Sequence, residues 1–94
     1  MSTPSSIEII HELGQRFAQY RKRVKLTQKD VAEQSGVSVF TISGFENGSQ
    51  SGITLKTFIK LLRAIGEEEA MQNILLEQPP SPKELFHRIH GKKK

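Results

Sequence analysis

Two short segments, each opened by a hydroxyl residue and closed by glycine, constrain this chain more than any other feature. They lie in residues 26–48, which read LTQKDVAEQSGVSVFTISGFENG. Thr27 and Ser38 are suitable N-caps, because a hydroxyl there accepts a hydrogen bond from an otherwise unpaired N–H of the first helical turn. Gly36 and Gly48 stand where the two runs must end, since glycine tolerates left-handed backbone angles. The pattern predicts helices over residues 28–34 and 39–46.

The apolar residues of this unit are few and regularly placed. Asp30 follows Thr27 by three residues and forms a weak capping-box pair with it. Ala32 is small enough to let the two helices cross closely. We expect five side chains to point inward: Val31, Ala32, Val37, Ile42 and Phe45. This spacing of an N-cap, a small residue, a turn glycine and apolar core residues predicts a helix-turn-helix.

Helical signals occur on both sides of this unit, and no strand signal occurs. Apolar residues at three- and four-residue spacing predict a first helix over residues 7–23. Thr54 caps a fourth helix that Gly66 stops, residues 67–76 form a fifth, and Ser81 opens a short sixth. The class is therefore all-α. We divide the chain into a flexible arm (1–6), a helix-turn-helix domain (7–78), and a Pro-rich extension with a basic tail (79–94).

Composition limits the function classes. The 94 residues make one domain, and the absence of cysteine excludes disulfides and thiolate metal sites. No apolar run approaches the roughly 20 residues that span a bilayer, so we expect a soluble, cytoplasmic protein. The net charge is +4, and six basic residues and no acid lie between Arg16 and Lys29. The positive charge is therefore concentrated in the residues that precede and begin the helix-turn-helix.

Residues 26–48, together with the predicted helix LKTFIKLLRAIG at residues 55–66, resemble the lambda-repressor-like (Cro/XRE) family. The similarity covers residues 13–66, about 54 of the 94 residues, and preserves the order of the Leu-Thr-Gln opening, the Gly-Val-Ser turn and the Glu-Asn-Gly end. It implies a five-helix bundle whose third helix, residues 39–46, lies in the DNA major groove. The tail pattern Pro-Pro-x-Pro-x-Glu-Leu is similar to that of HipB-like antitoxins, which are encoded beside persistence-type kinase toxins.

A phosphate-binding role is expected for polar and basic residues around the two short helices. The family resemblance implies that Gln28, at the start of the second helix, contacts a phosphate, and its free N–H groups suit that role. For the basic run alone, a solvated helix end is the alternative reading. The full set of expected phosphate contacts is Arg21, Arg23, Lys25, Thr27, Gln28, Lys29, Asn47, Ser49, Gln50 and Ser51.

Base reading departs from the family pattern. The family usually places Arg, Gln, Lys or Asn at the positions held here by Val39, Phe40 and Gly44. Two apolar residues and a glycine cannot make the bidentate bonds that read guanine or adenine, although the apolar pair could contact thymine methyl groups. Phe40 could instead fold back against helix two or sit in a protein interface. The expected base-reading set is Ser38, Val39, Phe40, Thr41, Ser43 and Gly44.

One domain of this size covers only a half-site, so we expect a homodimer that binds a palindromic operator as a bacterial or phage-type repressor. The expected interface residues are Met71, Ile74, Leu75, Leu76 and Phe86. Alternatively, Leu85, Phe86 and Ile89 of the sixth helix cover this apolar patch within one chain. The competing function is an antitoxin that neutralises a co-encoded toxin and regulates its own operon.

Catalytic and metal sites are not expected. The sequence has no nucleophile elbow, no Gly-rich phosphate loop and no paired carboxylates in a setting that would shift their pKa values. Glu84, His87 and His90 recur every three residues and could meet on one helix face, but a further ligand and a pocket are not evident. We therefore predict a non-enzymatic protein that needs no cofactor.

Overall fold

The computed structural model describes residues 3–83 and contains five α-helices and no strand within that range. The all-α prediction is confirmed. The helices are α1 (Ser6–Arg23), α2 (Gln28–Ser35), α3 (Val39–Asn47), α4 (Leu55–Ala64) and α5 (Glu69–Gln72). α1 packs against α3, while α2 packs against both α3 and α4. Every helix among residues 3–83 is too short or too polar to cross a bilayer.

The helix starts follow the predicted capping chemistry. Hydroxyls of Thr27, Ser38 and Thr54 accept hydrogen bonds from N–H groups in the first turns of α2, α3 and α4. α1 begins at Ser6, one residue earlier than predicted, because Ser5 and Glu8 form a reciprocal capping box. Ser-x-x-Glu is a local signal for such a box, so this start was readable from the sequence.

Among residues 3–83, eight apolar side chains form the core, which lies between α1, α3 and α4 and includes one residue of α2. Three aromatic rings run through it, with the centroid of Phe45 5.8 Å from those of Phe17 and Phe58. The other members are Val31, Ile42, Leu61, Leu62 and Ile65. The inward placement predicted for the helix-turn-helix is confirmed, because Val31, Ile42 and Phe45 are buried while Ala32 and Val37 pack against the core.

α1 and α3 cross at very close range, and Gly14 permits it. A Cβ atom built on Gly14 would lie 2.0 Å from the carbonyl oxygen of Phe45, well inside van der Waals contact. The neighbouring atoms belong to the backbone of α3, so no side-chain rotation could relieve the clash. The approach of the two helices therefore depends on a residue without a side chain.

The fifth helix is shorter than predicted. It covers Glu69–Gln72, whereas the sequence pattern indicated residues 67–76. Only Met71 of its apolar side chains packs against the core, and Ile74 and Leu75 are exposed. A short helix depends on tertiary packing for its stability, so it does not propagate where its apolar face has nothing to cover. Of the predicted sixth helix, Pro82 and Lys83 are helical, and the remainder, with most of the tail and the Glu-Leu end of its pattern, lies outside the described residues.

Candidate nucleic-acid interface

Residues 36–38 join α2 to α3 through a tight, hydrogen-bonded turn. Gly36 has a left-handed backbone, with φ of 77°, and its N–H donates to the carbonyl of Ala32 at 2.9 Å. The N–H of Val37 then donates to the hydroxyl of Ser35 at 3.1 Å, and Val37 packs against the core. These contacts fix the start of α3 relative to the end of α2, which is what a helix-turn-helix requires.

The first turn of α3 presents an apolar surface to solvent. Phe40 is 77% exposed and Val39 is 41% exposed. The predicted alternative that Phe40 folds back against α2 is therefore wrong. The two hydroxyls nearby are bonded to each other, since Ser38 Oγ donates to Thr41 Oγ1 at 3.0 Å and accepts from the Thr41 N–H at 3.1 Å. Ser43, further along the helix, is half-buried.

Gly44 lies beneath the loop that follows α3, and the structure gives it a role other than the expected approach to DNA. A Cβ atom at this position would lie 2.7 Å from Cγ of Gln50. The backbone N–H of Gln50 donates to the carbonyl of Gly44 at 3.0 Å, so the loop is held down on the helix. Gly44 is buried by this contact and does not belong to the outer face of α3.

A buried ion pair ties α1 to α3 behind this face. Arg21 donates from Nε and Nη2 to the two carboxylate oxygens of Glu46, at 2.7 and 2.8 Å. Its Nη1 donates to the carbonyl of Leu26 at 2.8 Å. Hydrogen bonding to Glu46 raises the pKa of Arg21, against the opposing effect of burial. Gln28 joins the group, because its Nε2 donates to Glu46 Oε1 at 2.9 Å.

This arrangement corrects the expected position of Arg21. Its guanidinium is directed into the protein and all three nitrogens are bonded there, so we leave it out of the proposed phosphate contacts. Sequence reasoning missed this pair. The signal for Arg21 was present, because it follows the buried Phe17 by four residues and so lies on the same helix face. Nothing local could have shown that Glu46 is its partner.

The remaining predicted cations stay on the surface. Arg23, Lys25 and Lys29 are exposed, and the guanidinium carbon of Arg23 lies 5.8 Å from the ring centroid of Tyr20. Lys25 lies in the junction between α1 and α2 and has a left-handed backbone, with φ of 64°. Its N–H donates to the carbonyl of Lys22 at 3.0 Å, which closes the end of α1. These three charges lie within residues 23–29, which run from the end of α1 to the first turn of α2.

The start of α2 is closed by a reciprocal capping box. The N–H of Thr27 donates to the Asp30 carboxylate at 2.8 Å, and the N–H of Asp30 donates to the Thr27 hydroxyl at 3.0 Å. The bond from the Thr27 backbone, aided by the Thr27 hydroxyl, lowers the pKa of Asp30. Gln28 follows directly and is half-buried. Its bond to Glu46 places the start of α2 beside the end of α3, so these two predicted contact regions are brought together.

The polar residues after α3 form the other predicted contact region. The Asn47 side-chain oxygen accepts from the N–H of Ser49 at 2.8 Å, and both residues are exposed. Gln50 and Ser51 are half-buried, with Gln50 seated on Gly44 as described above. Apart from Arg21 and Gly44, which are buried, the predicted residues lie in the α1–α2 junction, at the start of α2, on α3, and in the loop that follows α3.

The sequence matches the helix-turn-helix family model over residues 17–70, more than half of the chain. The chain belongs to the Cro/XRE-type helix-turn-helix family. No curated protein and no solved structure gives a significant match. Family membership supports a DNA-binding transcription regulator, in which α2, the turn at Gly36 and α3 form the helix-turn-helix itself.

The family match ends at Ala70, and the residues predicted for a dimer interface follow it. Ile74, Leu75 and Leu76 are 61%, 87% and 68% exposed, while Met71 packs against the core. Phe86 lies outside the described residues. An open, mainly apolar groove of about 180 Å³ runs between α1, α4 and the start of α5. Its lining consists of Leu13, Arg16, Phe17, Tyr20, Phe58, Leu62, Ile65, Glu67 and Ala70. This helix-turn-helix chain therefore exposes apolar surface on α3 and again around α5.

Metal binding has no candidate site within residues 3–83, where no group of three His, Asp or Glu side chains lies close enough to hold an ion. The predicted spacing of Glu84, His87 and His90 falls outside that range.

Proposed function

We propose that this protein is a transcriptional repressor that places α3 in the major groove of a palindromic operator. Its position in the helix-turn-helix family supports DNA binding, and one observation in the structure supports this mode of docking. The first turn of α3 is exposed, and the exposed cations Arg23, Lys25 and Lys29 lie around the start of α2, which the bond from Gln28 to Glu46 places beside the end of α3. A groove about 12 Å wide admits one helix, and cations beside it can then reach the phosphates at the groove edge.

Gln28 completes the backbone contacts in this proposal. Its side-chain nitrogen is held by Glu46 at 2.9 Å, and Glu46 is itself fixed by Arg21. The amide oxygen and nitrogen are thereby kept in one orientation before DNA arrives. α2 begins at Gln28, and the N–H groups of Gln28 and Lys29, which the capping box leaves unpaired, favour an anion at this helix start. Arg21 and Glu46 act here as positioning residues and do not touch the DNA.

The salt dependence of binding tests this arrangement. DNA that the wild-type protein selects from a random pool serves as the probe in gel-shift titrations. Each phosphate contact contributes about 0.9 to the slope of log affinity against log salt. The Lys25→Gln and Lys29→Gln double variant should therefore lower the slope by about 1.8 per bound protomer, with little change in sequence preference.

A matched control is available on α4. Lys60 and Arg63 lie beside Gln34 and Ser35, at the opposite end of α2 from Gln28. Lys60→Gln with Arg63→Gln removes the same charge and should leave the slope unchanged. If the wild-type protein bound no DNA even at low salt, the DNA-binding proposal would be refuted. If both double variants lowered the slope equally, the placement of the contacts would be refuted.

The homodimer is part of the same proposal and is supported by the exposed apolar surface around α5. Ile74, Leu75 and Leu76 are exposed, an open apolar groove lies between α1 and α4, and two copies could bury these surfaces against each other. A two-fold dimer would present two copies of α3 to half-sites about one helical turn apart. Because the two copies of α3 are related by two-fold symmetry, we propose a palindromic operator.

Leu75→Asp tests the dimer, because Leu75 is 87% exposed and its replacement should not disturb the fold. Sedimentation velocity should show a dimer for the wild-type protein and a monomer for the variant. On DNA, the variant should lose affinity for the full palindrome and keep its affinity for a half-site. A wild-type protein that remained monomeric at high concentration, or a variant that remained dimeric, would contradict the proposed interface. Repression itself is read from a promoter fusion carrying the selected site.

A further inference from the structure

The first turn of α3 exposes apolar side chains on the face that the proposed function places against DNA. Phe40 is 77% exposed, and among the large apolar side chains of residues 3–83 only Leu75 exposes a greater fraction. Val39 beside it is 41% exposed. Both side chains belong to the first turn of α3, the part of a recognition helix that lies against base edges in the groove.

Polar alternatives on this face are few. The Ser38 hydroxyl donates its one proton to Thr41 Oγ1 at 3.0 Å and accepts from the Thr41 N–H at 3.1 Å. Gly44 offers no side chain and is covered by Gln50. The first turn of α3 therefore reaches outward mainly with hydrocarbon, which cannot pair with the hydrogen-bonding groups of guanine, adenine or unmodified cytosine.

We infer that Val39 and Phe40 recognise the C5-methyl groups of pyrimidines, so that the protein distinguishes methylated from unmethylated pyrimidine edges. The C5-methyl of thymine is the one apolar group that an ordinary base pair presents in the major groove. 5-Methylcytosine carries a methyl group at the same ring position and would be accepted by the same surface. This inference rests on the proposed function, because it requires α3 to lie in the major groove.

Thymine-to-uracil replacement isolates the methyl group. Deoxyuridine pairs with adenine as thymidine does and lacks only that group. In duplexes of the selected sequence, we replace one thymine at a time and measure affinity by fluorescence anisotropy at fixed salt. Each contacted methyl should be worth about fourfold in affinity, which corresponds to the roughly 0.8 kcal/mol gained on burying one such carbon. At the same positions, 5-methylcytosine should bind more tightly than cytosine by a similar factor.

Two variants of Phe40 connect the effect to this residue. Phe40→Ala removes the phenyl ring and should abolish the difference between thymine and uracil at the contacted position. Phe40→Leu keeps an apolar side chain and should retain most of the difference. Because Phe40 is exposed, neither change should lower thermal stability, which circular dichroism verifies.

The outcomes separate this inference from the proposed function. Salt-dependent binding that is insensitive to every thymine-to-uracil replacement would overturn methyl recognition while leaving DNA binding intact. A methyl effect that persisted unchanged in Phe40→Ala would overturn the assignment to Phe40. A change in sedimentation coefficient for Phe40→Ala, without a change in methyl discrimination, would place this residue in a protein interface and also overturn it. Complete absence of DNA binding would refute both.

Discussion

The ion pair between Arg21 and Glu46 allows a demanding test of how this fold is held together. Both residues are buried, at 7% and 9% exposure. Glu46→Leu would leave the Nε and Nη2 groups of Arg21 without their acceptors in a position that water reaches poorly. Removing one partner of a buried pair costs about 3–5 kcal/mol, because the remaining charge is unpaired.

That cost is large compared with the stability of a domain of this size. At roughly 0.05–0.15 kcal/mol per residue, such a chain has about 5–14 kcal/mol in total. A loss of about 3.5 kcal/mol should lower the melting temperature by about 14–28 °C, since 1 kcal/mol corresponds to about 4–8 °C in a small domain. Thermal unfolding followed by circular dichroism measures this shift. Glu33→Leu, on the exposed surface of α2, is the control and should change stability by less than about 0.5 kcal/mol.

The double variant Arg21→Met with Glu46→Leu completes the cycle. An apolar pair of similar volume removes both charges together, and such replacements are often neutral or stabilising. We therefore expect the double variant to be markedly more stable than either single variant. If Glu46→Leu cost less than about 1 kcal/mol, or if the two single effects simply added, the pair would not act as one buried unit and our reading of it would be refuted.

Two further predictions concern local features. Gly14→Ala should lower the free energy of unfolding, measured in urea, by about 1–3 kcal/mol, because its Cβ would meet the backbone of α3. The control Gly52→Ala has open space around it and should be near neutral. Equal effects of the two variants would contradict the close crossing of α1 and α3. The lowered pKa of Asp30 means that its contribution to stability is present above its unfolded-state pKa of about 3.9 and lost as pH falls through the lower folded-state value. Melting temperatures of the wild-type protein and Asp30→Asn should therefore converge in acid, and a gap independent of pH would argue against the capping box.

Features decided by neighbouring residues were readable from the sequence. The caps at Thr27, Ser38 and Thr54 and the turn at Gly36 each depend on groups within a few positions, and all four are found as predicted. The inward face of the helix-turn-helix was also readable, because helical periodicity selects it. These local signals were sufficient for the fold class.

Contacts between residues that are far apart in the sequence could not be predicted from it. Arg21 and Glu46 are 25 positions apart, and the sequence gives no reason to pair them. The contact of Gly14 with Phe45 depends on how closely two helices cross, and the role of Gly44 depends on where the loop at Gln50 turns back. The length of α5 was predicted wrongly because the sequence shows an apolar face without showing whether anything covers it.

The left-handed backbone at Lys25 shows a conflict between folding and charge placement. A side chain other than glycine in this conformation costs roughly 1–2 kcal/mol, and the neighbouring helix ends at Gly36 and Gly48 avoid that cost. Glycine at position 25 would relieve the strain but remove one of the exposed cations leading into α2. In the proposed complex, Lys25 therefore lowers the stability of the α1–α2 junction but places a positive charge at the DNA backbone. Replacing it by glycine to stabilise the protein would weaken DNA binding.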